Sequence, residues 1–274
     1  MPSEFVKQYF RVDTLPHIWC EGCGNGILMN DIAHAIDNLR LNQDKVVIVS
    51  GIGCSSRATG YMNFDTLHTT HGRAIAFATG IKLANPELTV IVITGDGDCL
   101  AIGGNHFIHA ARRNIDITVV LFNNSIYGMT GGQYSPTTPT GEYAMTAPYG
   151  MIERNFDSCK LAEAAGATYI ARGTAFNTTQ MIGLLERAIQ HKGFSFVEGV
   201  STCPTYYGRK NKKGDAVDMM DWQRKHAIDI KAASRMKSEF LADKFLTGEF
   251  KCIDEPEYTE EYQKIIDKLQ LQEG

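Results

Sequence analysis

Leu88-Thr-Val-Ile-Val-Ile-Thr94 runs directly into Gly95-Asp96-Gly97-Asp98, and Ile117-Thr-Val-Val-Leu-Phe122 runs into Asn123-Asn124. Both runs are apolar and rich in β-branched residues, the composition of parallel strands covered on both faces. A carboxylate just past one buried strand and an amide just past the next offer two hard oxygen ligands to Mg²⁺. The glycines flanking Asp96 leave the backbone room to approach a diphosphate that shares the metal. A lone Gly-Asp-Gly is most often a turn. A strand before each element is far more specific, and points to a diphosphate cofactor held through a divalent cation.

The same alternation extends outward. Lys45-Val-Val-Ile-Val-Ser50 is a third strand, ending in Gly51-Ile-Gly53-Cys54-Ser55-Ser-Arg57. Helical spacing covers 27–39, a small-residue helix over 74–84 is stopped by Asn85-Pro86, and further helices are predicted over 99–113, 157–165 and 178–192. Strands are predicted over 168–171 and 194–200, the latter leading into Ser201-Thr-Cys203-Pro204. Strands alternating with helices imply an α/β fold with a doubly wound, mostly parallel sheet and right-handed crossovers. In such sheets ligands bind beyond the carboxyl ends of the strands. Cys54, Gly95-Asp96-Gly97, Asn123-Asn124 and Cys203 each follow a strand, so these loops should emerge along one edge. Residues 1–16 lack periodicity and read as an arm, and 125–150 is a turn-rich segment of the kind that is functional or mobile. Residues 1–204 form the α/β domain; 205–274 read as a polar C-terminal helical extension packing on the core or on a partner.

With 274 residues, 43 % of them hydrophobic, the chain can bury a full core without disulfides. A net charge of −4 gives no electrostatic reason to expect nucleic acid or an acidic membrane surface. The basic cluster Arg209-Lys210-Asn211-Lys212-Lys213 is short and reads as a solvated loop. No apolar run approaches the roughly 20 residues that span a bilayer, and the N-terminus lacks a secretory pattern, so the expected location is cytoplasmic. Seven cysteines there argue for thiolate chemistry or metal ligation.

Four of the seven, Cys20, Cys23, Cys54 and Cys203, stand in loops flanked by glycine or proline, whereas Cys99, Cys159 and Cys252 fall in helices or the tail. Cys20 and Cys23 form a Cys-x-x-Cys pair at the start of a helix, where the dipole lowers a thiol's pKa. One such pair with two distant single cysteines suits a [4Fe–4S] cluster, a structural Zn²⁺ or unliganded thiols. A zinc-stapled nucleotide-binding or scaffold protein is therefore one function class to weigh.

Taken together, Trp19-Cys-Glu-Gly-Cys-Gly-Asn-Gly26, Gly51-Ile-Gly-Cys-Ser-Ser-Arg57, His71-Gly-Arg73, Gly95-Asp-Gly97 through Asn124, Tyr127-Gly-Met-Thr-Gly-Gly-Gln133 and Ser201-Thr-Cys-Pro204 resemble the thiamine-diphosphate-binding β subunit of the 2-oxoacid:ferredoxin oxidoreductases. The resemblance spans 19–208 and implies the thiamine-diphosphate-binding fold. It implies Mg²⁺ held by Asp96, Asn124 and the Ile126 carbonyl, and one [4Fe–4S] cluster held by Cys20, Cys23, Cys54 and Cys203. Gly53, Cys54, Ser55, His71, Gly95, Asp96, Gly97, Asp98, Asn124, Ile126, Gly128, Met129 and Thr130 would bind the cofactor. The implied activity is coenzyme A-dependent oxidative decarboxylation of a 2-oxoacid, with electrons passing through the cluster to ferredoxin. No glutamate module for the aminopyrimidine and no coenzyme A module is evident. The resemblance assigns both to an α subunit, and the working form would be (αβ)₂.

The Tyr127-Gly-Met-Thr-Gly-Gly-Gln133 loop is more similar to the 2-oxoglutarate enzymes than to the pyruvate ones, which makes 2-oxoglutarate the expected substrate and succinyl-CoA the product. Pyruvate or another 2-oxoacid is the alternative. Arg57 and His71 are the candidate catalytic residues, Arg57 as a bidentate partner for the second carboxylate of 2-oxoglutarate.

Overall fold

The computed structural model describes residues 2–273. In chain order its elements are α1 (Glu4–Tyr9), α2 (Asn25–Asn38), β1 (Val46–Ser50), α3 (Ala58–Tyr61), β2 (Asp65–His68), α4 (Ala74–Ala84), β3 (Thr89–Gly95), α5 (Gly104–Arg112), β4 (Thr118–Asn123), α6 (Ser158–Ala165), β5 (Tyr169–Thr174), α7 (Thr178–Gln190), β6 (Ser195–Val200), α8 (Ala216–His226), β7 (Ala227–Asp229), α9 (Ile230–Ala233), β8 (Phe245–Cys252) and α10 (Tyr258–Glu273). The eight strands make one sheet in the order β2-β1-β3-β4-β6-β5-β8-β7. The first six are mutually parallel; β8 runs antiparallel to β5, and β7 is parallel to β8.

Continuous β-branched runs make the central strands because both faces are covered. On one face Leu28, Ile32 and Ile36 of α2 and Leu184 and Leu185 of α7 pack with Ile48, Ile91, Ile93, Val120 and Val197 of the sheet. On the other, Ala74 and Ala78 of α4, Phe107 and Ala110 of α5 and Ala162 of α6 pack with Val49, Val92, Val119, Leu121 and Phe196. Phe107 is fully buried, its ring 5.1 Å from that of Phe196 and 5.8 Å from that of Phe194. Truncating such a side chain to alanine costs about 3–5 kcal/mol. The sheet is thus a rigid platform whose parallel strands all deliver their loops to one edge.

Both ends of the chain join this platform more closely than their polar sequences suggest. The arm forms α1, and Tyr9 and Phe10 reach the core, with the Tyr9 hydroxyl donating to Asp37 Oδ1 at 2.8 Å. Beyond its helices, the 205–274 segment contributes β7 and β8 to the sheet. The α8 side chain of Gln223, 2 % exposed, donates to the carbonyls of Val200 and Ser201 and accepts from the Phe176 N–H. That seats the extension on the carboxyl end of β6. Among the described residues no helix is long and apolar enough to cross a membrane.

Candidate functional site

The loops after β1, β3 and β4 meet around a cavity of about 100 Å³ at the carboxyl edge of the sheet. All thirteen cofactor-binding candidates, Gly53, Cys54, Ser55, His71, Gly95, Asp96, Gly97, Asp98, Asn124, Ile126, Gly128, Met129 and Thr130, line it. Asn25, Ile52, Phe122 and Tyr127 line it as well.

Asp96 directly follows β3 and caps the wide helical turn Gly97–Ile102. Its Oδ2 accepts from Ser135 Oγ at 2.5 Å and Thr137 Oγ1 at 2.6 Å. Burial nevertheless dominates and pushes its carboxyl up to about 6, against the pull of those hydroxyls. A buried carboxylate that still resists ionisation is one that a cation would stabilise. Gly97 lies so close to Tyr127 that a β carbon there would sit 2.1 Å from the Tyr127 Cζ, and the Tyr127 hydroxyl donates to the Gly97 carbonyl at 3.0 Å. Glycine at 97 is required by this approach, not by turn geometry.

Asn124 is buried and its Oδ1 accepts from the Ile126 N–H at 3.3 Å, a local turn that brings the two candidate ligands together. Between them Ser125 adopts φ +60°. An aspartate, an asparagine amide and a backbone carbonyl are the oxygen donors that Mg²⁺ takes, so the residues present fit the ion.

Asp98 faces a different set of partners. Its Oδ1 is 2.5 Å from His71 Nδ1 and accepts from the N–H groups of Gly72 at 2.7 Å and Ile52 at 3.2 Å, while Oδ2 accepts from Thr94 Oγ1 at 2.7 Å. A carboxylate is acceptor-only, so it fixes the imidazole proton on Nδ1. Asp98 therefore fastens the 51–53 and 71–72 loops to each other beside the cavity.

The four loop cysteines gather next to this site although Cys20 and Cys203 are separated by nearly the whole α/β domain in sequence. Cys23 is within electrostatic reach of Cys20, Cys54 and Cys203, and Cys54 is within reach of Cys20, Cys203 and Asp96. Burial, reinforced by neighbouring thiols, pushes Cys23 up to about 12 and Cys54 up to about 11. Cys203 is raised by burial too. The lowering expected from the start of α2 is therefore outweighed by desolvation. Backbone N–H groups of Asn25, Met129 and of Tyr206 and Tyr207 point at the sulfurs of Cys23, Cys54 and Cys203. Such donors stabilise thiolates and tune a cluster's potential. A β carbon on Gly128 would meet the Cys54 sulfur at 3.3 Å and that of Cys203 at 3.7 Å. Four thiols gathered in this way, three of them met by backbone N–H groups, are a donor set that a [4Fe–4S] cluster takes.

Arg57 is exposed and lies outside the cavity lining, and among the described residues its guanidinium makes no ion pair. Several contributors escaped the sequence reading. Ser135 and Thr137, which bond Asp96, come from the turn-rich segment, where only Ser135-Pro-Thr-Thr-Pro139 gave a signal, as a run of hydroxyls beside prolines. Asn123, the first residue of the Asn-Asn pair, carried no predicted role and donates to Glu198 on β6.

A family model for the C-terminal TPP binding domain of thiamine pyrophosphate enzymes matches residues 51–199. The chain is 56 % identical over 262 residues to a 2-oxoglutarate synthase subunit, KorB, of Methanocaldococcus jannaschii, covering 96 % of this chain and 97 % of the relative. It is 51 % identical over 261 residues to the KorB subunit of Methanothermobacter marburgensis, covering 95 % and 92 % of the two chains. Its structure superposes, with a TM-score of 0.86 and 35 % identity, on a 2-oxoglutarate:ferredoxin oxidoreductase from Magnetococcus marinus with 2-oxoglutarate, coenzyme A and succinyl-CoA bound, covering 96 % of this chain and 90 % of that one.

Proposed function

The chain belongs to the family of 2-oxoglutarate synthase KorB subunits, with the thiamine pyrophosphate enzyme C-terminal domain, and from that kinship we propose that it is the cofactor-binding β subunit of a 2-oxoglutarate:ferredoxin oxidoreductase. The reaction is the coenzyme A-dependent oxidative decarboxylation of 2-oxoglutarate to succinyl-CoA and CO₂. One observation carries this reading: buried Asp96, Asn124 and Ile126 share a cavity with Cys54, and three more thiols stand within reach of that cysteine.

In this reading Asp96, the Asn124 amide oxygen and the Ile126 carbonyl hold Mg²⁺, and Cys20, Cys23, Cys54 and Cys203 hold one [4Fe–4S] cluster. Once bound, thiamine diphosphate supplies the carbon nucleophile and electron sink that decarboxylation needs, and the cluster supplies a one-electron path to ferredoxin. The chain's own residues bind and orient. The glycines at 95 and 97 keep the floor of the cavity clear of side chains, and Asp98 holds His71 with its Nε2 available at the cavity wall for a proton. Arg57, an exposed cation three residues past Cys54 with no ion pair among the described residues, takes the distal carboxylate of 2-oxoglutarate.

Ile52 and Met129 leave apolar surface exposed, 44 % and 46 %, on the cavity rim. That surface supports a lid from a partner α subunit, which also supplies the activating glutamate and the coenzyme A site, in an (αβ)₂ assembly. The test is co-expression with the α subunit and anaerobic purification. About four irons and as many labile sulfides per chain are expected, with coenzyme A-dependent dye reduction on 2-oxoglutarate exceeding that on pyruvate. One zinc without iron, or no 2-oxoacid-dependent reduction, overturns the reading.

A further inference from the structure

Asn124 and Ile126, the candidate ligands from the loop after β4, flank Ser125, whose φ of +60° places a residue with a β carbon in the left-handed region. Such a backbone is strained for any residue with a β carbon and persists only where its surroundings over-determine it. Here both peptide groups of Ser125 are held by side chains. Its N–H donates to Asn123 Oδ1 at 3.0 Å, and its carbonyl accepts from Thr138 Oγ1 at 2.6 Å.

The Asn123 amide is itself clamped. Its Nδ2 donates to Glu198 Oε1 at 2.6 Å, which leaves Oδ1 turned toward Ser125 and toward Thr137 Oγ1, 2.9 Å away. Thr137 Oγ1 also reaches Asp96 Oδ2, so one amide touches the supports of both candidate ligand loops. Glu198, 3 % exposed on β6, is fixed at its other oxygen by Arg172 Nε at 2.6 Å and Ser158 Oγ at 2.5 Å. Arg172 continues to Asp157 Oδ1 at 2.7 Å. Glu198 is not among the residues that line the small cavity; it lines an adjoining one of about 610 Å³ beneath α8, and Asn124 borders both. A carboxylate buried there with no contact to the cofactor cavity calls for a reason.

We propose that Glu198 is a positioning residue for the Mg²⁺–diphosphate site: it fixes the orientation of the Asn123 amide, and through it the left-handed Ser125 that aims the Asn124 side chain and the Ile126 carbonyl. This rests on the metal–diphosphate reading of Asp96 and Asn124. The requirement is for an acceptor at both oxygens. Glutamine at 198 must present its NH₂ either to Asn123 Nδ2 or to Arg172 Nε, donor against donor. In the first case Asn123 turns over and offers Nδ2 to the Ser125 N–H, removing the bond that holds the turn.

The experiment is a Mg²⁺ titration of thiamine diphosphate binding to the anaerobic αβ complex, followed by quenching of tryptophan fluorescence. Glu198→Gln is expected to raise the half-saturating Mg²⁺ concentration about 10- to 100-fold, the usual effect of losing a partner that orients a metal ligand. Occupancy should return at high Mg²⁺, and iron content should stay at the wild-type level. A role confined to stability would lower the melting temperature without that Mg²⁺-dependent rescue. Asn123→Ala leaves Glu198 paired with Arg172 and Ser158 and decides the question if Glu198→Gln fails to fold. The double variant should add nothing further. An unchanged half-saturation in the variants, with a wild type that requires Mg²⁺, overturns the proposal. A wild type that binds the cofactor without Mg²⁺ dependence overturns the metal–diphosphate reading instead.

Discussion

The Gly128 backbone passes so close to Cys54 that a methyl group on it would lie 3.3 Å from the Cys54 sulfur, with the Cys203 sulfur only slightly farther at 3.7 Å. The loop after β4 thereby forms a wall for the thiols as well as for the cofactor cavity. Gly128→Ala is expected to lower iron and labile sulfide per chain by at least half, as measured on anaerobically purified protein. Gly80→Ala, at a helical position with nothing within 4 Å of the added carbon, should leave iron content alone and stabilise the fold by about 0.5–1 kcal/mol.

In the proposed reading Asp96 is a ligand of the Mg²⁺–diphosphate site and not of the cluster. Asp96→Ala should abolish Mg²⁺-dependent thiamine diphosphate binding, read by calorimetry on the αβ complex, while the visible absorbance of the cluster persists. Normal cofactor binding in that variant would mean that the Gly-Asp-Gly motif serves a different purpose.

Arg57 offers a handle on substrate choice because its charge is unpaired and exposed among the described residues. Arg57→Ala is expected to raise the apparent KM for 2-oxoglutarate by on the order of 10- to 100-fold, the worth of a charge-assisted bond, and to leave the KM for pyruvate nearly unchanged. Equal effects on the two substrates would remove Arg57 from substrate recognition.

Asp31 of α2 is buried, its Oδ2 has no hydrogen-bond partner among the described residues, and burial pushes its carboxyl from 3.8 up to about 7. Between those values the unfolded chain has lost the proton that the folded chain keeps. Stability therefore falls as pH rises through that window, and the loss is complete above about 7. Asp31→Asn should be more stable than wild type by roughly 2–4 kcal/mol at pH 8, with the difference vanishing near pH 4. Urea unfolding of the two proteins at both pH values measures it.

The central strands were legible because parallel strands covered on both faces must be continuous apolar runs, and the sheet-edge rule then placed Cys54, Asp96, Asn124 and Cys203 on one side. Strand β2, Asp65-Thr-Leu-His68, was not legible: it is a half-exposed edge strand with neither an apolar run nor alternation. Strand β8 was hidden by Gly248 at φ +105° and by a register shift opposite Ile170 and Ala171, which interrupt its pattern. In the site, the candidate ligands themselves carried motif signals, whereas the residues that hold them in place did not. Ser135 and Thr137 lie 39 and 41 residues from Asp96, and Glu198 lies 75 from Asn123. Contacts that distant follow from the folded path of the chain and leave no local spacing to read.

Strand β8 lies between β5 and β7, so the interior of the sheet waits for residues 245–252, which are made well after β5. During synthesis, after residue 174 has emerged and until residue 252 follows it, the β5 strand has an open row of N–H and C=O groups on one side. That row is a template for pairing between nascent chains. The returning strand closes it from within the same molecule, and premature termination before 245 would leave a product with a hydrophobic platform already built and its margin unsealed. Sealing of the sheet therefore hinges on residues 245–252, far along the chain from the loops that line the cofactor cavity.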